Sequence, residues 1–85
     1  MIGNSAHAEG ARNLARGAQS HAEGVETEAL GQGSHSEGEF TVAIGEGSHS
    51  EGNYAKAEGI WSHAEGHKTY ARGSYSHTEG DETTT

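Results

Sequence analysis

The chain repeats a unit of fourteen residues, which in one copy reads Ser20-His21-Ala22-Glu23-Gly24-Val25-Glu26-Thr27-Glu28-Ala29-Leu30-Gly31-Gln32-Gly33. A fixed period over a whole chain indicates a stacked repeat architecture, in which each unit contacts mainly its neighbours. We therefore predict a single repeat segment over residues 1–85. Its successive turns are expected near residues 6–19, 20–33, 34–47, 48–61, 62–75 and, as a partial turn, 76–85.

Each unit carries one histidine that is followed two residues later by a glutamate. The histidines are His7, His21, His35, His49, His63 and His77, and the glutamates are Glu9, Glu23, Glu37, Glu51, Glu65 and Glu79. Only His67 lies outside this series. A pair that occurs six times at a fixed spacing is typical of architecture rather than of a catalytic site.

Each unit divides into two similar halves of seven residues, in which small and variable residues alternate before a glycine. Alternation predicts β-strands, because successive side chains of a strand point to opposite faces. The spacing does not indicate a coiled coil, since glycine at every seventh position would cost a helix about 1 kcal/mol each time. We therefore predict an all-β fold with two short strands per turn.

One face of both predicted strands is built almost entirely from small residues. In the first strand this face reads Ala6-Ala8-Gly10, Ser20-Ala22-Gly24, Ser34-Ser36-Gly38, Ser48-Ser50-Gly52, Ser62-Ala64-Gly66 and Ser76-Thr78-Gly80. In the second strand it reads Asn13-Ala15-Gly17, Thr27-Ala29-Gly31, Thr41-Ala43-Gly45, Ala55-Ala57-Gly59 and Thr69-Ala71-Gly73. Two strands folded back to back over such residues predict a very flat coil. Glycine at the strand ends permits a positive φ or a close approach of two backbones.

The opposite faces of the two strands differ in character. The first strand presents the His/Glu pair, whereas the second presents varied pairs such as Leu14/Arg16 and Tyr70/Arg72. Varied residues tolerate water, and an unchanging pair suggests a position dictated by structure. We expect the second strand to face outward and the first to face a partner, namely other copies of this chain.

Composition supports association between chains. Only 29% of the 85 residues are hydrophobic, so a lone chain has little with which to build a core. The net charge of −8 disfavours nucleic acid and anionic membranes as partners, and no apolar stretch is long enough for membrane insertion. Cysteine is absent, which excludes disulfides and thiol chemistry. We expect the chain to be a piece of a longer fibre.

The glycine-punctuated units, over residues 5–82, resemble the head repeats of the YadA-like trimeric autotransporter adhesins. The Ser-His-Ala-Glu-Gly form is similar to repeats in tail-fibre proteins of phages and prophages. The resemblance implies a homotrimeric, left-handed parallel β-roll (a β-solenoid) of about six turns, whose first strands face the threefold axis. In the adhesin heads two bulky aliphatic residues occupy the positions that carry His and Glu here, so the seam between chains becomes polar.

This resemblance implies a structural role in a virion tail fibre or, alternatively, at a bacterial cell surface. The His/Glu form favours the phage fibre. The expected partner is the chain itself as a homotrimer, with a host glycan or surface protein as a further candidate. No cofactor is expected.

Two chemical alternatives concern the histidines. Rings of His21, His35, His49 and His63 around a threefold axis suit zinc, nickel or iron, although a neighbouring carboxylate satisfies each imidazole without an ion. Ser20, His21 and Glu23 do not predict a hydrolytic triad, because a strand places Ser20 and His21 on opposite faces. Nearby carboxylates favour the charged imidazolium, whereas burial opposes it, so the direction of the histidine pKa shift stays open.

The large apolar residues form a candidate outer contact patch. Val42, Ile44, Trp61 and Tyr75 are predicted to be its members, and a patch of this kind would make the segment a binding module for a host glycan or protein. Val25, Phe40 and Tyr54 are expected to stack in one link between strands, with Ile60, Trp61 and Tyr75 in the other. In these links we favour packing over binding.

Overall fold

The computed structural model describes residues 6–82 and Thr84, and this part of the chain contains eleven β-strands and no helix. Six strands of five residues are β1 (His7–Ala11), β3 (His21–Val25), β5 (His35–Glu39), β7 (His49–Asn53), β9 (His63–His67) and β11 (His77–Asp81). Five strands of two residues alternate with them: β2 (Leu14–Ala15), β4 (Glu28–Ala29), β6 (Val42–Ala43), β8 (Lys56–Ala57) and β10 (Tyr70–Ala71). A helix long and apolar enough to cross a bilayer does not occur among the described residues.

The strands form two parallel sheets, each built by stacking one strand from every turn. The long-strand sheet has the order β1-β3-β5-β7-β9-β11, and the short-strand sheet has the order β10-β8-β6-β4-β2. Each residue pairs with the residue fourteen positions further along, as His21 does with His35 and Glu23 with Glu37. The described residues therefore form a parallel β-solenoid of about five turns with a period of about 14 residues, which confirms the prediction of an all-β, stacked parallel coil. In the region of the predicted partial turn, β11 continues the same pairing with β9.

The interior consists of the small residues that the alternation places inward. Its buried members are Ala6, Ala15, Ala22, Ala29, Ala43, Ala55, Ala57, Ala64 and Ala71, together with Ser20, Thr27, Ser34, Ser36, Thr41, Ser48, Ser50, Ser62, Thr69 and Thr78. The Cα atoms span 31 × 23 × 9 Å. This small thickness confirms the prediction of a flat coil, because alanine, serine and threonine keep the two sheets close.

Asn13, the one large residue predicted to face inward, is half-buried and ties two turns together. Its Oδ1 accepts hydrogen bonds from the backbone N–H of Thr27 at 2.9 Å and from the Thr27 hydroxyl at 3.0 Å. Its Nδ2 donates to the carbonyl oxygen of Gly24 at 2.9 Å. Asn13 therefore fits the interior because every polar atom of its side chain has a partner there.

Glycine is required at the strand ends for two different reasons. Gly38 has a φ of +110°, and a Cβ there would overlap the carbonyl oxygen of Gly52 in the next turn. At Gly45 φ is not in the left-handed region, but a Cβ would overlap the carbonyl of Gly59. The first position needs both the φ freedom and the space, whereas the second needs the space alone.

The links contain a feature that the sequence did not indicate, since larger residues adopt a left-handed backbone at both corners of the coil. In the link after each long strand, Arg12, Glu26, Phe40, Tyr54, Lys68 and Glu82 have φ values of 54–61°. In the other link Gln19, Trp61 and Tyr75 have φ values of 60–62°. L-residues adopt this region at a cost of roughly 1–2 kcal/mol, so the stacked strands must hold each corner in place.

Candidate functional site

The candidate site is the face of the long-strand sheet that carries the His/Glu pairs. Within a strand the two side chains stand two residues apart and so share a face, while the small residue between them points into the coil. Parallel pairing without any offset then stacks His on His and Glu on Glu from turn to turn. We call the resulting rows the His column (His7, His21, His35, His49, His63 and His77) and the Glu column (Glu9, Glu23, Glu37, Glu51, Glu65 and Glu79).

The imidazole rings of the His column are stacked in parallel over most of its length. Ring centroids are 4.6 Å apart between His21 and His35, with 2° between the ring planes, and the next three pairs repeat this at 4.5–4.6 Å and 2–4°. His7 departs from the row, since its ring is tilted by 57° against that of His21. The spacing follows that of the strands, because neighbouring strands lie about 4.8 Å apart.

From His35 to His77, each histidine of the stack lies between two carboxylates. The Nε2 atom of His49 is 3.0 Å from an oxygen of Glu51 in the same strand and 3.7 Å from an oxygen of Glu37 in the preceding turn. His35 repeats this arrangement with distances of 3.3 Å to Glu37 and 3.7 Å to Glu23. The two columns therefore form a zigzag of alternating nitrogen and carboxylate oxygen atoms along the coil.

These short distances are not hydrogen bonds in the middle of the column. The Nε2 atoms of His21, His35, His49 and His63 are shielded from solvent, yet none has a hydrogen-bond partner among the described residues. The oxygen atoms are near enough, so the missing requirement is direction, because the N–H bond must point at its acceptor. His7, which is tilted out of the stack, does form a hydrogen bond with Glu9, at 2.7 Å. The tilted ring of His7 thus makes a hydrogen bond that the stacked rings of His21, His35, His49 and His63 do not make.

Burial and neighbouring histidines lower the pKa of His49 from its usual value of 6.5. Desolvation is the largest cause, followed by repulsion from His35 and His63, and the attraction of Glu51 and Glu37 does not compensate for them. The sequence left the direction of the shift open, and at this position burial prevails. The folded chain therefore disfavours the charged imidazolium at His49.

The two columns bring together sets of possible metal ligands that come from one chain. Within the described ranges five sets have this form, namely His7/Glu9/His21, His21/Glu23/His35, His35/Glu37/His49, His49/Glu51/His63 and His63/Glu65/His77. In each set the ligand atoms lie within 4.8 Å of one another. Sequence reasoning considered rings of histidines from three chains, and it did not consider ligands stacked along a single chain.

The structure does not bring Ser20, His21 and Glu23 together as a triad. Ser20 is buried inside the coil, and its hydroxyl has no hydrogen-bond partner in residues 6–82 or Thr84. His21 lies on the other face of the sheet with a side chain that is 38% exposed. A serine nucleophile needs a histidine within hydrogen-bonding distance, and this arrangement lacks one.

The predicted outer contact patch is divided between two places. Val42 is half-buried in the short-strand sheet, and Ile44 is exposed two residues further on. Trp61 and Tyr75 lie in the link before a long strand, where they are 58% and 77% exposed. The indole ring of Trp61 covers Gly47, as a Cβ on that glycine would lie 2.5 Å from the ring.

A groove of about 350 Å³ on the short-strand sheet combines Val42 with residues that the sequence did not assign to a site. Its lining is Phe40, Val42, Tyr54, Ala55, Lys56, Glu58, Tyr70 and Arg72. Phe40 and Tyr54 are stacked with centroids 5.0 Å apart, as their link position predicted, but Val25 pairs with Glu39 and so belongs to another row. The fourteen-residue spacing of Phe40 and Tyr54 is the signal by which this groove is recognisable in the sequence.

Comparison of the chain with family models, curated proteins and solved structures finds no match.

Proposed function

We propose that this chain is a structural segment of a homotrimeric fibre, which extends and stiffens an attachment structure. Three copies associate through their His and Glu columns, which line the threefold axis. The fibre belongs to a phage tail or, alternatively, to a bacterial surface adhesin, and the segment performs no catalysis. The observation that carries this proposal is the interior, in which the largest fully buried side chain is threonine.

Such an interior stabilises a single chain weakly. Burial of one methylene group contributes about 0.8 kcal/mol, whereas ordering the backbone costs about 1–2 kcal/mol per residue. Seven large apolar side chains of the described residues contribute little to one chain, because they are exposed: Phe40, Ile44, Tyr54, Ile60, Trp61, Tyr70 and Tyr75. Association of chains buries additional surface and so supplies the stability that the interior lacks.

The His/Glu face is the better candidate for the interface between chains. Its residues repeat without change, whereas the equivalent outward positions of the short-strand sheet vary from Leu14 to Glu28 to Lys56. A symmetric interface requires the same surface from every copy, and a fibre extended along its axis requires the same surface from every turn. The His and Glu columns meet both requirements.

The mass of the assembly in solution tests this proposal. Sedimentation equilibrium of the purified chain, in buffer containing a chelator, is expected to give three times the mass of one chain. The melting temperature is expected to rise with protein concentration, because folding and assembly are linked. A folded monomer whose melting temperature is independent of concentration would contradict the proposal.

A second candidate function is glycan binding by the groove on the short-strand sheet. The stacked rings of Phe40 and Tyr54 offer an apolar surface for a sugar ring, and Lys56 and Arg72 offer charged hydrogen-bond donors beside them. A glycan array probed with the parent chain and with Tyr54→Ala tests it. We expect binding that the substitution removes, whereas equal signals from both proteins would exclude the groove.

A further inference from the structure

The middle of the His column combines shielding with a missing partner. The Nε2 atoms of His21, His35, His49 and His63 are withdrawn from water and form no hydrogen bond within the part of the chain that the structure describes. A polar atom in this position costs free energy unless something binds it. Each of these atoms has a carboxylate oxygen at 3.0–3.4 Å, which lies beside it rather than along the direction of an N–H bond.

Two ligand atoms of one metal ion also lie slightly more than about 3 Å apart without forming a hydrogen bond to each other. Zinc binds imidazole nitrogen and carboxylate oxygen at about 2.0–2.2 Å, so two such ligands on one tetrahedral ion lie roughly 3.3–3.5 Å apart. The oxygen of Glu37 lies 3.3 Å from Nε2 of His35 and 3.7 Å from Nε2 of His49. Both separations are close to the length expected for two atoms that share an ion.

We propose that the His and Glu columns bind divalent transition-metal cations of the zinc class, each held by two histidines of adjacent turns and the glutamate between them. His35, Glu37 and His49 form the central site. All three ligands come from one chain, so the inference goes beyond the proposed trimer and does not depend on it. The two nitrogens lie within 4.8 Å and need to approach by up to about 1.5 Å to share a tetrahedral ion, which requires the two rings to rotate towards each other out of their parallel stack.

The charges of the columns agree with a bound cation. Glutamates stacked at the strand spacing of about 4.8 Å repel one another, and a divalent cation relieves that repulsion. Two nitrogen ligands with one oxygen ligand favour zinc, nickel or cobalt over calcium and magnesium, which prefer oxygen ligands.

Neighbouring sites share a histidine, and this limits how many ions one chain holds. The site His21/Glu23/His35 uses the same His35 as the site His35/Glu37/His49. Ions in adjacent turns would also lie only about 5 Å apart and repel each other. We therefore expect two or three ions per chain, in alternate turns, rather than one ion in each of the five sets.

Removal of alternate histidines gives a sharp test, because every site needs two histidines from adjacent turns. The triple variant His21→Gln/His49→Gln/His77→Gln leaves no such pair. The matched variant His7→Gln/His21→Gln/His77→Gln also loses three histidines but keeps His35, His49 and His63, and so retains one ion. His67→Gln is a further control, since His67 lies outside the column and contacts Asp81 at 3.0 Å.

The probe is Co²⁺, or Zn²⁺ in calorimetry, added to the full chain after treatment with a chelator. The parent and His67→Gln are expected to bind two or three ions, the matched variant one and the alternating variant none, with the cobalt absorption band following the same order. Equal binding by the two triple variants, or equal affinity of the parent for Ca²⁺, would overturn the proposal. Circular dichroism shows whether each variant is folded. If a triple variant does not fold, the double variant Glu37→Gln/Glu51→Gln replaces it, and we expect this double variant to bind the metal more weakly than the parent. Sedimentation in chelator reports on the trimer separately.

Discussion

At the scale of single residues, glycine at the strand ends sets how closely the turns can stack. Gly38 combines a φ of +110° with a backbone nitrogen of Gly52 only 2.8 Å from the position of a Cβ. We expect Gly38→Val to lower the free energy of unfolding by at least about 3 kcal/mol, because the side chain displaces the backbone of the next turn. Chemical denaturation of parent and variant measures the difference.

Gly33 is the matched control for this substitution. Its φ of +69° is also in the left-handed region, but apart from its two chain neighbours no atom of the described residues lies within 4 Å of a Cβ placed there. Gly33→Ala should therefore cost about 1 kcal/mol, the price of the backbone conformation alone. A Gly38→Val variant as stable as Gly33→Ala would show that the close approach of the backbones is not required.

The sequence predicted these glycine positions but not the backbone of the other corner residues. Glycine every seventh residue is a signal of close approach or positive φ, whereas Arg12, Glu26 and Phe40 share no chemical feature that indicates a left-handed conformation. The conformation is imposed by the strands on either side, which pair with the turns above and below. The residue types at these corners therefore do not predict the left-handed conformation.

At the scale of the strand, the stacked histidines make stability depend on pH. Because the pKa of His49 is lowered in the folded chain, the unfolded chain binds a proton more readily below 6.5. The contribution of His49 to stability is therefore complete above pH 6.5, the pKa of the unfolded chain. It is lost as the pH falls from 6.5 towards the lowered pKa of His49 in the folded chain. Repulsion from His35 and His63, which lie on either side of His49, also lowers the pKa of His49.

Thermal melting between neutral and mildly acidic pH tests this dependence. The parent is expected to lose stability as the pH falls through 6.5, and His49→Gln should reduce the slope, because glutamine does not titrate. The variant Arg16→Gln, on the short-strand side, serves as a control for an unrelated change of charge. Stabilisation of the parent by acid in this range would mean that the carboxylates outweigh burial.

The strand pairing was predictable from the sequence, and the detail of the site was not. Identical residues at a spacing of fourteen positions predict His over His and Glu over Glu, and the observed register agrees. The direction of each Nε2 atom depends on the ring rotation that stacking selects at 4.5–4.6 Å, and this rotation has no counterpart in a list of residues. The five sets of ligands depend on these ring positions, because the rings determine how close the ligand atoms lie to one another.

At the scale of the whole molecule, one chain has a thin core of small residues and leaves several large apolar side chains exposed. The proposed fibre is stable only if association between copies buries additional surface. A coil 9 Å thick across its Cα atoms has little depth in which to bury large side chains. We therefore expect dilution to unfold the chain rather than merely to separate folded chains. Far-ultraviolet circular dichroism over a dilution series, at constant temperature, distinguishes these two outcomes.

The uniform register of the two sheets also bears on how such a chain changes during evolution. Every turn presents the same glycines and the same His/Glu pair to the turn above and to the turn below. A recombination event that adds or removes the codons of one complete unit joins surfaces that already match, so no compensating substitution is needed. Variation in the number of units therefore offers descendants a direct route to longer or shorter rods, whereas loss of half a unit would place a long strand against a short one and break the stack.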